Sequence, residues 1–277
     1  MVLRLSRKGD ELSLPSSAHL LGFETQAKPA YYFDTFHQEP FVQKRLGAPV
    51  FTGKNWRLYQ HEGLRGFHIF YSKDQYKGPE YFLTFDPATR RGKIFYKNNA
   101  SSVEISPLHY RPLGLLLIDI FALRKGIFLH ATGIIYKQQA YVFTGFSEAG
   151  KSTLARLWMN IPGVEVISDE RVLICEQDHQ LWAYGTPWKS SAGQSSPSGA
   201  PLKKVYIVHH AAANAATPLR PVQASSRMFT HAYPAVWDKL RLSANIDLIE
   251  QVVTSIPCYD FGFVPDMSAI DYLLCHS

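Results

Sequence analysis

The sequence predicts an α/β protein in which a β-rich N-terminal domain precedes a phosphate-binding domain. Three observations predict it: aromatic and β-branched runs divided by turn residues fill residues 56–97, strand and helix patterns alternate downstream, and residues 145–152 have the spacing of a phosphate-binding loop. A stretch rich in asparagine and serine, residues 98–102, separates the two regions. We therefore predict a first domain at 1–105 and a second at 106–277.

Length, composition and charge exclude several classes of protein. The chain has 277 residues, of which 46% are hydrophobic and 19% charged, so it can bury a core and is not a disordered chain. Its net charge of +6 is spread along the sequence, which disfavours nucleic-acid binding and favours small anionic ligands such as phosphates. The three cysteines, Cys175, Cys258 and Cys275, have no CxxC spacing, so neither a disulfide framework nor a cysteine zinc site is expected.

No targeting or membrane segment is expected. The first ten residues carry Arg4, Arg7 and Lys8 with no apolar stretch behind them, unlike a signal peptide. The longest apolar run, residues 113–123, is too short to span a bilayer and contains Asp119, so it is predicted to form a buried helix. Together with the cysteine usage, these features predict a cytoplasmic protein that has neither a membrane nor a nucleic acid as its partner.

Short strands joined by tight turns predict an antiparallel meander in the N-terminal domain. The strand-like runs are residues 56–59, 67–71, 81–85 and 93–96. His61 and His68 fall in or beside these runs, and we interpret them as residues of strand faces rather than as metal ligands.

Strand and helix patterns alternate in the second domain. Strands are predicted at residues 140–144, 164–167, 172–174 and 205–208, and helices at 152–159, 237–242 and 244–254. The stretch 190–201 is rich in serine, glycine and proline and is predicted to be a mobile loop over the site. The alternative is an autophosphorylation segment that contains Ser190, Ser191, Ser195 and Ser196. His209 and His210 adjoin a strand and are not predicted to be a metal pair.

The segment from Gly145 to Ser152 predicts a site that binds the phosphates of a nucleotide. It reads GFSEAGKS and matches G-x-x-x-x-G-K-[ST], the phosphate-binding loop. Glycines allow backbone N–H groups to converge on phosphate oxygens, Lys151 supplies a positive charge to the β- and γ-phosphates, and the hydroxyl of Ser152 is a ligand for Mg²⁺. The predicted nucleotide-binding residues are Gly145, Ser147, Gly150, Lys151, Ser152 and Thr153. ATP and Mg²⁺ are the expected cofactors, and the metal is expected to arrive with the nucleotide.

Two adjacent acids follow the next predicted strand. A nucleoside triphosphate needs a carboxylate for its metal, and Asp169 and Glu170 lie one helix and one strand after Lys151. Two acids at such a site can divide the work, because one can hold Mg²⁺ while the other accepts the proton of an attacking hydroxyl. The predicted metal-side residues are therefore Ser152, Glu170 and Asp169.

The order of these motifs resembles the bacterial HPr serine kinase family, which shares its phosphate-binding core with the ATP-dependent phosphoenolpyruvate carboxykinases. The resemblance rests on residues 129–131, 145–153 and 167–171, and it covers roughly residues 107–274. The second domain is thereby identified as resembling a P-loop kinase core of the HPr kinase/phosphoenolpyruvate carboxykinase type.

Three further segments are similar to the divergent HPr kinase-like proteins of peptide-modification gene clusters. They are residues 185–188, residues 200–205 and an ending made of residues 256–259 and 263–266. Members of that group associated with lasso peptides phosphorylate a serine of a precursor peptide. The resemblance therefore implies a serine-bearing peptide or protein as the partner, and it leaves a homo-oligomer open.

The resemblance also implies roles for individual residues. Asp169 matches the family's base toward the acceptor hydroxyl, Glu170 the neighbouring metal-side acid, and His130 an active-site histidine. The predicted catalytic residues are therefore Asp169, His130 and Lys151. Two positions depart from the pattern: Glu170 stands where the HPr kinases usually have Asp, and Lys189 stands where related sequences often have His.

The expected function is ATP- and Mg²⁺-dependent transfer of the γ-phosphoryl group to a hydroxyl, with a serine of a peptide or protein as the main candidate. A kinase of a small hydroxylated metabolite and a non-catalytic nucleotide-sensing module are the alternatives. Candidate cations for stabilising the transferring group are Lys189, Lys203, Arg171, Arg220, Arg227 and Arg241.

Overall fold

The computed structural model describes residues 3–7, 31–37, 47–70, 80–97 and 110–275. The chain divides into two compact units, residues 1–120 and 121–277. The linker predicted at 98–102 and Tyr71, at the end of a predicted strand, lie outside the described residues.

The described residues of the first unit form a seven-stranded sheet in the order β1-β2-β7-β6-β5-β4-β3. Its strands are β1 (Leu3–Arg7), β2 (Tyr31–His37), β3 (Phe51–Thr52), β4 (Trp56–His61), β5 (Leu64–Ile69), β6 (Glu80–Asp86) and β7 (Arg91–Lys97). Strands β4 to β7 pair antiparallel with their neighbours in the chain, which confirms the predicted meander. The parallel pairs β1–β2 and β2–β7 were not predicted, because they join segments far apart in sequence.

The predicted apolar run forms a helix at the end of the first unit. It is α1 (Tyr110–Ala122), and its apolar side chains are mostly buried, as the sequence predicts. Asp119 on this helix is fully buried, and its Oδ1 atom lies 2.9 Å from Nη2 of the buried Arg65 on β5. Among the described residues, no helix is both long enough and apolar enough to cross a membrane.

The second unit is built on a mixed eight-stranded sheet. Its elements are β8 (Gly126–Tyr136), β9 (Gln139–Thr144), α2 (Lys151–Trp158), β10 (Glu165–Ser168), β11 (Arg171–Gln177), β12 (Gln180–Tyr184), β13 (Gly199–His210), β14 (Ala215–Pro218), α3 (Pro221–Thr230), α4 (Lys239–Ser255), β15 (Cys258–Phe263) and α5 (Met267–Cys275). The strand order is β10-β8-β11-β12-β13-β15-β14, and β9 pairs with β8 and β13. An α/β architecture with large sheets is therefore present.

Alternating side chains of the central strands give this sheet two buried faces. On β9, Ala140 and Val142 pack with α3 and α4, whereas Tyr141 and Phe143 pack with α2 and α5. Because both faces are covered by helices, the strand is apolar at each of its four central residues, 140–143. The sheet and its helices thus form three layers.

Two secondary-structure predictions in this unit are corrected. The helices predicted at 237–242 and 244–254 are one helix, α4, whose first turn is capped by the carboxylate of Asp238 accepting from the N–H of Arg241. The predicted loop 190–201 ends earlier, because β13 begins at Gly199 and pairs there with β12.

The directions of three strands determine the edge of the sheet at which the candidate site lies. Strand β13 runs parallel to both β9 and β15, so the carboxyl ends of all three lie at the same edge of the sheet. The loop 145–150 leaves β9 at this edge, where ligands bind in open α/β sheets.

Candidate active site

The loop between β9 and α2 depends on two glycines. A Cβ at Gly145 would lie 2.7 Å from the carbonyl oxygen of Val208, so the loop passes closer to β13 than a larger residue allows. Gly150 has φ +92°, a left-handed conformation, and a Cβ there would overlap the ring of Phe263. The predicted strand before the loop and the predicted helix after it are both present.

Lys151 is the first residue of α2, and its side chain is folded into the loop. It is 6% exposed, and its Nζ donates hydrogen bonds to the carbonyl oxygens of Gly145 (2.8 Å) and Phe146 (2.6 Å). Burial lowers the pKa of Lys151, and the charge of Glu170 opposes that shift. An ammonium has three protons, so one remains for a ligand.

The start of α2 is suited to an anion. The first N–H groups of a helix have no partner within it, and Gly150 has no side chain with which to cap them. The helix dipole adds a partial positive charge at this end. With the Lys151 ammonium beside them, these groups can hold phosphate oxygens.

Asp169 and Ser152 converge on one hydroxyl, that of Ser190. Asp169 follows β10 and is 1% exposed; its Oδ1 accepts from the N–H of Ser190 (2.9 Å). Its Oδ2 accepts from the Ser190 hydroxyl (2.8 Å) and from the N–H of Ala192 (2.7 Å). The Ser190 Oγ also lies 3.1 Å from the Oγ of Ser152 on α2. Two residues predicted to hold the metal are thus brought together, with a serine of the loop 190–198 between them.

The loop 190–198 is held over β10 by backbone pairing. The N–H of Ser196 donates to the carbonyl oxygen of Ile167 (2.9 Å), and Ser195 forms an isolated bridge with Ser168. Arg156 on α2 donates to the carbonyl oxygen (3.0 Å) and hydroxyl (3.1 Å) of Ser191. The loop therefore contacts both elements that carry the predicted metal-side residues.

His130 lies on β8 beside Glu170. Its Nδ1 donates to the carbonyl oxygen of Glu170 (3.0 Å) and lies 3.9 Å from the Glu170 Oε1. Burial lowers the pKa of His130, the charge of Lys151 lowers it further, and Glu170 opposes both. A carbonyl oxygen only accepts, so the neutral imidazole carries its proton on Nδ1 and leaves Nε2 unprotonated.

His231 is a site residue that the sequence analysis missed. It follows α3, and its carbonyl oxygen accepts from the N–H of His130 (2.8 Å). Its ring meets that of Phe146 edge-on at 4.8 Å, and its pKa is lowered by burial and then by the charges of Lys151 and His130. No local motif marks it, because only the packing of α3 brings it to the loop.

The remaining predicted residues fall into different environments. Ser147 is exposed on the loop, and Thr153 is half-buried on α2. The Arg171 guanidinium lies 4.9 Å from the ring centre of Trp188 and 4.5 Å from that of Tyr233. The other candidate cations are either ion-paired or exposed: Arg227 pairs with Asp260, Arg241 pairs with Asp238, and Lys189, Lys203 and Arg220 are exposed. Arg171, which follows Glu170 in the chain, is thus the candidate cation that packs on two aromatic rings.

The donor set suits Mg²⁺ delivered with a nucleotide. Hydroxyl and carboxylate oxygens are the hard ligands this ion prefers, and both Ser152 and Asp169 lie within hydrogen-bond distance of one common atom. Within the described residues, no group of three or more His, Cys, Asp or Glu side chains could hold a metal ion.

Comparison with known proteins gives matches among solved structures only. No protein-family model matches the sequence, and no curated protein matches it either. A solved structure, the HPr(Ser) kinase/phosphatase from Coxiella burnetii, matches with a TM-score of 0.32 and 10% identity, over 54% of this chain and 94% of that chain. At this distance the case for function rests on the side chains of the site itself.

Proposed function

We propose that this protein is an ATP- and Mg²⁺-dependent phosphotransferase that acts on a hydroxyl. The observation that carries the proposal is a buried lysine in a glycine-bounded loop, followed directly in the chain by Ser152 of the Ser152–Ser190–Asp169 cluster. The first can bind a polyphosphate, and the second offers metal ligands and a base within reach of it.

The nucleotide would be held at the start of α2. Lys151 and the first N–H groups of the helix bind and neutralise the β- and γ-phosphates. Ser152 and Glu170 are the metal-side residues, together with Asp169 when its carboxylate is not engaged as the base. Bound Mg²⁺ supplies further neutralisation of the charge that develops on the phosphates.

Asp169 would act as the base toward the acceptor. The Ser190 hydroxyl lies 2.8 Å from the Asp169 Oδ2 and 2.9 Å from the Asp169 backbone carbonyl oxygen, so the carboxylate is within hydrogen-bond distance of a hydroxyl, as a base must be. Because Asp169 is 1% exposed, an external acceptor reaches it only when residues 190–192 move away.

The acceptor we propose is a serine of a peptide or protein in the cytoplasm. Support comes from the motifs similar to HPr kinase-like proteins, including those of lasso-peptide gene clusters. The neutral imidazole of His130, with Nε2 unprotonated, is placed to accept a hydrogen bond from the acceptor or from a water beside the phosphates.

Labelled ATP tests this function. The purified protein is incubated with γ-labelled ATP, Mg²⁺ and an extract of the source cells, which is then separated by size. Label in peptides or proteins supports the proposal, label in small molecules indicates a metabolite kinase, and ATP binding without transfer indicates a nucleotide sensor. Lys151→Ala is expected to abolish nucleotide binding, whereas Lys239→Ala, at an exposed lysine on α4, is the matched control.

A further inference from the structure

We propose that Ser190 is itself a phosphoryl acceptor and that the protein phosphorylates it within the same chain. The inference rests on the proposed function, because the donor is the ATP bound at the loop 145–150. It goes further by assigning a modification site.

The position of the Ser190 hydroxyl carries the inference. The oxygen lies 2.8 Å from Oδ2 of Asp169, the proposed base, and 3.1 Å from the Oγ of Ser152 at the start of α2. The backbone N–H of Ser190 donates to the other oxygen of the same carboxylate at 2.9 Å, which fixes the residue in place. A hydroxyl held between a base and the phosphate-binding helix is in the position that an acceptor must occupy.

The other serines of the loop have different partners. Ser191 is exposed and accepts from Arg156, and Ser196 donates to Glu165 at 2.5 Å. Ser195 pairs through its backbone with Ser168. Of the four serines in this stretch that the sequence offers as autophosphorylation candidates, Ser190 is the one that contacts Asp169.

The transfer balances without any further reactant. The Oγ of Ser190 forms a bond to the γ-phosphorus of ATP, the bond from that phosphorus to the β,γ-bridging oxygen breaks, and ADP leaves. The Ser190 proton passes to the carboxylate of Asp169.

Phosphorylation of Ser190 would open the site. The product carries a charge of about −1.5 to −2 at neutral pH and, once Asp169 has released the proton to solvent, is repelled by the carboxylate of Asp169. The hydrogen bonds from Ser190 and Ala192 to Asp169 would then break, and Asp169 would become accessible to a second hydroxyl.

Mass spectrometry tests the assignment. The full chain is treated with a phosphatase, freed of it, incubated with ATP and Mg²⁺, and mapped by peptide mass. We expect one phosphoryl group, on Ser190, added at a rate that does not depend on protein concentration. Ser190→Ala is expected to remain unmodified, and Ser191→Ala, at the exposed neighbour, is expected to be modified like the original protein.

ATP binding is measured on the same samples to separate the two proposals. Transfer to a peptide with Ser190 unmodified overturns this inference and leaves the proposed function standing, whereas ATP binding without transfer to Ser190 or to a peptide overturns both proposals. Phosphate on another serine, or a rate that rises with protein concentration, overturns it as well. If the protein binds no ATP, both proposals fail.

Discussion

The backbone N–H and the hydroxyl of Ser190 both donate to the carboxylate of Asp169. A carboxylate taken out of water requires such donors, because burial of an unpaired charge is costly. Here the donors come from a loop rather than from the sheet, so the same contacts that stabilise Asp169 also cover it. Access to Asp169 is therefore coupled to the position of residues 190–192.

Asp169→Asn should separate ATP binding from transfer. The amide has no basic oxygen to accept a proton, so we expect the rate of phosphoryl transfer to fall by about 100-fold or more, the usual contribution of a general base. ATP binding should change little, because Lys151 and the first turn of α2 are untouched. Initial rates and ATP dissociation constants check this, and full turnover in the variant would remove Asp169 as the base.

Gly150→Ala should destabilise the second unit more than Gly163→Ala does. Both glycines have positive φ, but a Cβ at Gly150 overlaps the ring of Phe263, whereas a Cβ at Gly163 meets no atom within 4 Å. We expect Gly163→Ala to cost about 1–2 kcal/mol of unfolding free energy, the strain of a left-handed residue. Gly150→Ala should cost more and weaken ATP binding, as urea unfolding and nucleotide titration would show. Equal losses in the two variants would contradict this packing argument.

Breaking the buried ion pair of the first unit should be costly. Arg65 and Asp119 are both almost fully buried with 2.9 Å between Nη2 and Oδ1, so Asp119→Ala leaves a buried guanidinium without its carboxylate. We expect a loss of about 3–5 kcal/mol of unfolding free energy. The double variant Arg65→Met with Asp119→Leu should regain most of it, because no buried charge remains. A double variant no more stable than Asp119→Ala would show that the two charges act independently.

Local patterns account for what could be predicted from the sequence. The strand, loop and helix around Gly145 and Lys151 follow from short-range spacing, and so does the meander at β4 to β7. The place of Ser190 against Asp169 was not predictable, because it depends on the pairing of Ser196 with Ile167 across a loop with no periodicity. His231 was missed because only the packing of α3 brings it to the loop 145–150.

Two adjoining helix patterns were predicted where the structure has one helix. Ser243 has only a weak preference against helix interiors, and the buried Leu248, Ile249 and Val252 continue a single face past it. Tertiary packing against the sheet therefore decides the length of α4, which local propensity alone does not specify.

Stability should fall in mild acid partly because of His231. Burial and the charge of Lys151 lower the pKa of His231 in the folded protein, so below its ordinary value of about 6.5 the unfolded chain binds more protons than the folded one. Its contribution is complete above that pH and is lost as the pH falls through the lowered value. Urea unfolding at a series of pH values should show a shallower decline for His231→Phe than for the original protein. An identical decline would mean that the pKa of His231 is the same in the folded and the unfolded protein.

The three cysteines should differ in their reaction with a thiol reagent. Burial raises the pKa of the Cys175 thiol to about 11 and that of Cys258 to about 12, so almost none of either is thiolate at pH 8, and both are shielded from solvent. Cys275 is exposed at the end of α5. A chromogenic disulfide reagent should therefore react rapidly with one thiol in the folded protein and with three in denaturant. The rapid reaction in the folded protein should be absent in Cys275→Ser. Rapid reaction of two or more thiols in the folded protein would mean that the sheet around Cys175 and Cys258 opens readily, since neither can react while it is buried.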